Sequence, residues 1–191
     1  DLFSQACIAD VPQPAKAVTK TDKERALCSL VVLPASLIHN WLNELGRFAP
    51  WLRVLVHVGG AREMKTSVFK KYDVVLTTYG TLRNDIGMFS KYVFGHIILD
   101  ESQNIKNPDS KAAQAVFSLQ GMHRMVLTGT PIQNSLADIW SQFNFLNPNM
   151  LGSYQHFMKY YASPLSKNHG DLAGEKLRNM IGPFILRRTK E

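Results

Sequence analysis

Ile97-Ile98-Leu99-Asp100-Glu101-Ser102-Gln103 sets three large apolar residues directly against two adjacent carboxylates. An apolar run without polar alternation reads as a strand covered on both faces, as in a parallel sheet flanked by helices. Ligands of open parallel sheets bind beyond the carboxyl ends of the strands. The two acids therefore stand where a ligand would be met. An acidic pair at that place suits nucleotide hydrolysis, with one carboxylate serving Mg²⁺ and the other orienting the attacking water. The same residues also read as an acidic turn with Asp as a helix cap, and the segment alone leaves both readings open.

Four further runs flank this one: Leu30-Val31-Val32-Leu33, Val54-Leu55-Val56, Val74-Val75-Leu76 and Met125-Val126-Leu127. Helical patterns lie between them. Leu37, Trp41, Leu42, Leu45 and Phe48 share one helical face, with Ser36 placed to cap it. Asp109 or Ser110 is a candidate cap for a helix that turns Ala113, Val116 and Phe117 inward. Ser135 and Asp138 have the spacing of a capping box, ahead of a helix that buries Ile139, Trp140 and Phe143. Strand–helix alternation of this kind predicts a doubly wound α/β domain with right-handed crossovers. The expected organisation is an irregular leading segment (1–28) with a short helix near Leu2–Ile8, an α/β core (29–150), and a helical extension (151–191).

The residues after the other runs complete a candidate site. Pro34, Ala35 and Ser36 follow the first run, and Thr77, Thr78, Tyr79 and Gly80 close the third. Hydroxyls and helix N-terminal amides are good ligands for a phosphate backbone. Thr128-Gly129-Thr130-Pro131 follow the last run, then Gln133 and Asn134. Small hydroxyl residues around Gly allow close backbone approach and switchable hydrogen bonds. Each of these segments, taken alone, is also an ordinary turn or cap.

Composition limits the alternatives. The 191 residues are 45% hydrophobic and 19% charged, which is globular rather than disordered. No apolar run approaches the ~20 residues of a membrane helix, and the start does not read as a secretory leader. Asp1 reads as a cut end inside a longer protein. Cys7 and Cys28 match no metal or redox spacing, which suits a reducing compartment, and the six histidines show no zinc-ligand spacing. The net charge of +7 suits a polyanion partner. Trp41, Trp51 and Trp140 are expected to pack. Tyr154, Phe157, Tyr160 and Tyr161 suggest one helical packing face.

Taken together, the segments resemble the Swi/Snf-type ATPases of helicase superfamily two. The resemblance rests on Leu33-Pro34-Ala35-Ser36-Leu37 with Trp41, on Leu76-Thr77-Thr78-Tyr79, and on Ile98-Leu99-Asp100-Glu101-Ser102-Gln103-Asn104-Ile105-Lys106-Asn107. It continues through Leu127-Thr128-Gly129-Thr130-Pro131-Ile132-Gln133-Asn134 and Pro183-Phe184-Ile185-Leu186-Arg187-Arg188-Thr189-Lys190. Order and spacing agree over residues 29–190, and the Asp-Glu-Ser-Gln form looks most like bacterial members.

The resemblance implies a RecA-like first lobe of a DNA-dependent ATPase using ATP and Mg²⁺. Asp100 would serve the metal and Glu101 the water. Gln103 would couple the site to the second RecA-like lobe, and Thr128 and Thr130 would link nucleotide state to DNA contact. Pro34, Ser36, Thr77, Thr78 and Tyr79 would lie in segments that contact double-stranded DNA, and Lys106 beside the acids would be a candidate for a nucleotide or DNA role. The protein would work in the bacterial cytoplasm on the nucleoid, or in a nucleus if eukaryotic.

A phosphate-binding loop reads G-x-x-x-x-G-K-[ST], yet none of the twelve glycines here is followed by Lys. In the family that loop precedes Leu33-Pro34, so its strand is expected to be missing from the middle of the sheet. Two other readings stay open: an RNA helicase of superfamily two, and a non-catalytic nucleic-acid-binding or scaffold derivative of the fold.

Overall fold

The computed structural model describes residues 27–60, 62–129, 135–162 and 170–186. The helix expected near Leu2–Ile8, the segment Thr130–Asn134 and the closing Arg187–Lys190 lie outside them. Five strands form one sheet: β1 (Ser29–Leu33), β2 (Val54–His57), β3 (Val74–Thr78), β4 (Val93–Leu99) and β5 (Gln120–Val126). Their order is β2-β3-β1-β4-β5 and every pairing is parallel. The strands hydrogen-bond in an unbroken sequence.

The helices are α1 (Ile38–Phe48), α2 (Tyr79–Asn84), α3 (Ile86–Phe89), α4 (Lys111–Phe117), α5 (Leu136–Leu146), α6 (Tyr154–Phe157) and α7 (Gly170–Ile181). Side chains of a strand alternate between faces, and β1 shows what this does. Leu30 and Val32 enter one core with Val75, Leu82, Phe94, Val116 and Phe145. Val31 and Leu33 enter a second core with Trp41, Leu45, Val74 and Leu76. Thus α1 covers one face, while α2, α4 and α5 cover the other. The first core is dominated by aromatic rings. Phe69 lies 5.1 Å from Phe89 and 5.3 Å from Phe94, centroid to centroid, and packs edge-on to Tyr92.

Several local expectations are corrected. Ser36 does not cap α1: Ala35–Leu37 form a 3₁₀ turn begun by Pro34, and no side chain caps either start. Phe48 is 49% exposed and Trp51 70% exposed, because α1 and the turn after it run past the core. Ser110 does cap α4, with its hydroxyl accepting from the Ala113 amide at 3.2 Å. Ser135 begins α5, but the capping box is not made. The Asp138 amide donates to the Ser135 carbonyl, and the Asp138 carboxylate is turned inward. Tyr160 is exposed while Phe157 is buried, since the helix changes to a π-type turn at Met158–Ala162 and breaks the phase of the aromatic stripe. Finally, β5 is not covered on both faces; none of its residues is buried and Met122 is 66% exposed. Cover on both faces holds for β1 and β3, whereas Val93 and His96 of β4 are exposed.

Ala26–Phe157 form one compact unit, and the described residues of Met158–Ala162 and α7 group with a second. No described helix is long and apolar enough to cross a membrane.

Gly95, on β4, needs its missing side chain. A Cβ there would lie 2.8 Å from the Leu27 carbonyl oxygen, and the Gly95 amide donates to the Cys28 carbonyl at 2.9 Å. Backbone cannot yield as a side chain does. Gly95→Ala is expected to destabilise the protein by about 1–3 kcal/mol, seen as a lower urea midpoint; an unchanged midpoint would show that the Leu27 segment moves aside freely.

Candidate functional site

Because all five strands run the same way, their carboxyl ends share one edge. Along it the order of strands puts Thr77–Tyr79 (β3), Pro34–Ser36 (β1), Asp100–Glu101 (β4) and Thr128–Gly129 (β5) side by side. The chain leaves β1 toward β2 and leaves β4 toward β5, so the turns after these adjacent strands diverge. That divergence is where doubly wound sheets open a crevice.

Asp100 is held from every side. Its amide donates to the Val32 carbonyl at 2.8 Å, tying it to β1. One carboxylate oxygen, Oδ1, accepts from the Glu101 amide at 2.9 Å, and the other, Oδ2, accepts from the Trp41 indole Nε1 at 2.8 Å. Its backbone carbonyl accepts from the Tyr79 hydroxyl, also at 2.8 Å. Only 6% of Asp100 is exposed. Burial raises its pKa above the usual carboxylate range, and the bonds from Trp41 and the Glu101 amide oppose that rise. The Tyr79 phenol is pushed well up by its own burial, with the charges of Asp100 and Glu101 adding to it, so it stays a donor.

Glu101 has φ 51° and ψ 58°, the left-handed region. A non-glycine residue there costs of the order of 1–2 kcal/mol. This conformation turns the chain sharply after β4. Gln103 Nε2 donates to Glu101 Oε2 at 2.7 Å, and Asn104 Nδ2 donates to the Glu101 carbonyl at 2.8 Å. A Cβ added to Gly129 would lie 4.0 Å from Glu101 Oε1, so the loop after β5 comes up to the same carboxylate. Ser141 of α5 donates to the Ile105 carbonyl and secures the far side of the acidic segment.

The structure divides the remaining candidates. Ser36, Thr128 and Gly129 are exposed, and Pro34 and Thr78 partly so. Thr78 caps α2, its hydroxyl accepting from the Thr81 amide at 3.1 Å. Thr77 is fully buried and donates to the His57 carbonyl at 2.8 Å, and Tyr79 is 7% exposed. Both side chains point inward, so a phosphate contact by these segments would come from their backbone or from neighbouring residues. Thr130 lies outside the described residues. Asp138 is buried with Oδ1 lacking a hydrogen-bond partner among the described residues, and burial raises its pKa against the pull of Lys106.

Sequence reasoning missed two features. One is the reach of Trp41 to Asp100 across 59 positions. The other is a buried ion cluster at the end of β2. Asp85 Oδ2 accepts from His57 Nε2 at 2.9 Å, and Arg62 grips the same carboxylate through Nε and, at 2.8 Å, through Nη2. The Arg62 bond, followed by that from His57, holds Asp85 below the usual carboxylate range. No spacing rule pairs these residues. A cleft lined by Met64, Lys65, Asn84, Asp85 and Lys91 lies beside this cluster and contains none of the candidate catalytic residues.

Comparison with known proteins decides the family. The SNF2-related domain matches residues 7–191. The chain belongs to the SNF2-related family. Among curated relatives it is 38% identical over 186 residues to the TATA-binding protein-associated factor MOT1 of Saccharomyces cerevisiae. It is 37% identical over 196 residues to the putative ATP-dependent helicase/translocase YwqA of Bacillus subtilis. The alignments take in 91% and 97% of this chain but 10% and 21% of those proteins. The SWI2/SNF2 ATPase core of Sulfolobus solfataricus in complex with double-stranded DNA superposes with a TM-score of 0.79 and 42% identity, over 88% of this chain and 35% of that one. The SNF2-related fold expected from the motifs, a RecA-like parallel sheet between helices, is therefore the fold observed.

Proposed function

We propose that this SNF2-related chain supplies the water- and metal-handling half of the ATP site in a protein that moves along double-stranded DNA by hydrolysing ATP. One observation carries the reading: two carboxylates at the end of β4, the first pinned through both oxygens and its backbone, the second carried on a left-handed residue and held by Gln103. That arrangement separates two roles. Asp100, rigid and buried, suits holding a cation, and Glu101, partly exposed and oriented by Gln103, suits orienting a water.

The donor set is consistent with Mg²⁺. Each Asp100 oxygen accepts a single described hydrogen bond and keeps a lone pair for a metal or its water. The described residues contain no group of three or more acidic, His or Cys side chains that would form a closed metal cage. One carboxylate, with water and phosphate oxygens completing the shell, is how Mg²⁺ is usually held beside nucleotides. Asp100 would hold the ion, whose charge neutralises phosphate oxygens.

The DNA reading draws support from the exposed turns at Pro34–Ser36 and Thr78, from the net charge of +7, and from the DNA-bound Sulfolobus core. Gln103, Thr128 and Thr130 are proposed to face a second RecA-like lobe and relay nucleotide state. A protein with this task acts where the chromosome is, in a nucleoid or a nucleus. The test is ATP turnover by the intact protein with duplex DNA, with RNA and with neither. Stimulation by duplex DNA supports the reading, stimulation by RNA alone would move the protein to the RNA helicases, and no turnover at all would favour a scaffold.

The 191-residue chain alone contains no glycine–lysine phosphate loop. Calorimetric titration of this chain with Mg-ATP is expected to show no micromolar binding. A micromolar dissociation constant would mean that Asp100, Glu101 and their surroundings hold phosphates by a route of their own.

A further inference from the structure

Asp100 receives one hydrogen bond from each face of the sheet, and both donors sit just behind exposed turns. Trp41 belongs to α1 and packs with Val31, Leu33 and Leu76. The turn that starts α1, Pro34–Leu37, has Ala35 and Ser36 in solvent. Its indole donates to the Asp100 carboxylate. Tyr79 packs in the opposite core with Leu30, Val32 and Val75. It is the first residue of α2, directly after half-exposed Thr78. Its hydroxyl donates to the Asp100 carbonyl. Side chain and backbone of one residue are thus held by two elements from opposite faces of the sheet. Hydrogen bonds of 2.8 Å weaken steeply when their geometry is disturbed. A movement of either turn that disturbs these bonds would reach Asp100, its carboxylate through Trp41 and its backbone carbonyl through Tyr79.

We propose that Trp41 and Tyr79 are positioning residues that couple contact with a phosphate backbone at the turns after β1 and β3 to the orientation of Asp100. The proposal rests on the DNA-motor reading above and adds to it the route by which DNA reaches the ATP site. Coupling of this kind is reciprocal: DNA raises nucleotide affinity by the same factor by which nucleotide raises DNA affinity. Neither residue needs to touch DNA or nucleotide. Both side chains are buried, and each places a hydrogen bond on Asp100.

The experiment uses the intact protein, a duplex DNA and a non-hydrolysable ATP analogue with Mg²⁺. The nucleotide dissociation constant is measured with and without DNA, and their ratio is the coupling factor. Wild type is expected to show a ratio of about tenfold, within the usual range. Trp41→Phe keeps an aromatic ring and removes the donor; Tyr79→Phe removes one oxygen. Each is expected to bring the ratio to within about twofold of unity, while thermal unfolding stays cooperative. A purely structural role predicts weaker nucleotide binding by the same factor in both arms, leaving the ratio intact, and that result overturns the proposal. If Trp41→Phe does not fold, Tyr79→Phe decides by the same ratio. A wild type that binds both ligands without coupling overturns this proposal alone. A wild type that binds no DNA overturns the functional reading beneath it.

Discussion

Glu101→Gln in the intact protein is expected to lower ATP turnover by about 10²–10⁴-fold and to leave nucleotide affinity within about twofold of wild type. The substitution keeps the size and the left-handed backbone of residue 101. It also keeps a partner for Gln103, because the oxygen of the new amide can accept from Gln103 Nε2 as Glu101 Oε2 does. What disappears is the negative charge proposed to orient and polarise the attacking water. Asp100 keeps its bonds from Trp41 and Tyr79, so the residue proposed to hold the cation is unaltered. Single-turnover hydrolysis and equilibrium binding on one preparation give the answer. Turnover at the wild-type rate would take Glu101 out of the chemistry, and loss of both turnover and binding would make it a structural residue.

Asp85→Asn is expected to cost about 3 kcal/mol of stability, at the low end for breaking a buried ion pair because Arg62 is partly in solvent. His57 and Asp85 have side chains 1% and 2% exposed, and the pair closes against Phe69 and Phe89, whose rings stand edge-on to the imidazole. An amide cannot balance the Arg62 charge, and the His57 ring loses its anionic acceptor. The pH dependence follows from the sign of the shift. Asp85 is held below the usual carboxylate range, chiefly by Arg62. Its contribution is complete above the unfolded value of ~4 and fades as pH falls from there through the lower folded value. Urea unfolding at pH 7 and at pH 3 separates the cases. The loss on mutation should shrink toward acid. A loss equal at both pH values would assign the effect to packing rather than charge.

The apolar runs of the inner strands were legible because burial leaves an unmistakable composition. Leu30–Leu33, Val74–Leu76 and Ile97–Leu99 all lie in the three inner strands. The acidic pair was legible for a related reason, since charge directly after such a run can only sit at the sheet's edge. What escaped was decided by geometry between distant segments. Ser36 has the chemistry of a cap, but Pro34 starts the helical turn two residues early as a 3₁₀ segment. Ser135 and Asp138 have the spacing of a capping box, but the Asp138 side chain is drawn into the interior. Thr77 and Tyr79 look like surface hydroxyls when only their residue types are known; the pairing of β3 with β2 and its closeness to Asp100 show where their hydroxyls go. The cluster of His57, Arg62 and Asp85 joins a strand end, a loop and a helix junction, and local periodicity carries no trace of it.

The left-handed backbone of Glu101 bears on how this protein would answer laboratory evolution. Glycine relieves the steric cost at φ 51° and is expected to make the fold about as stable or up to about 1 kcal/mol more so. A library sorted only for survival after heating would therefore tend to accept glycine at position 101 and discard the group proposed to handle water. On that proposal heat resistance and turnover would pull in opposite directions at that one residue, and a selection has to score both.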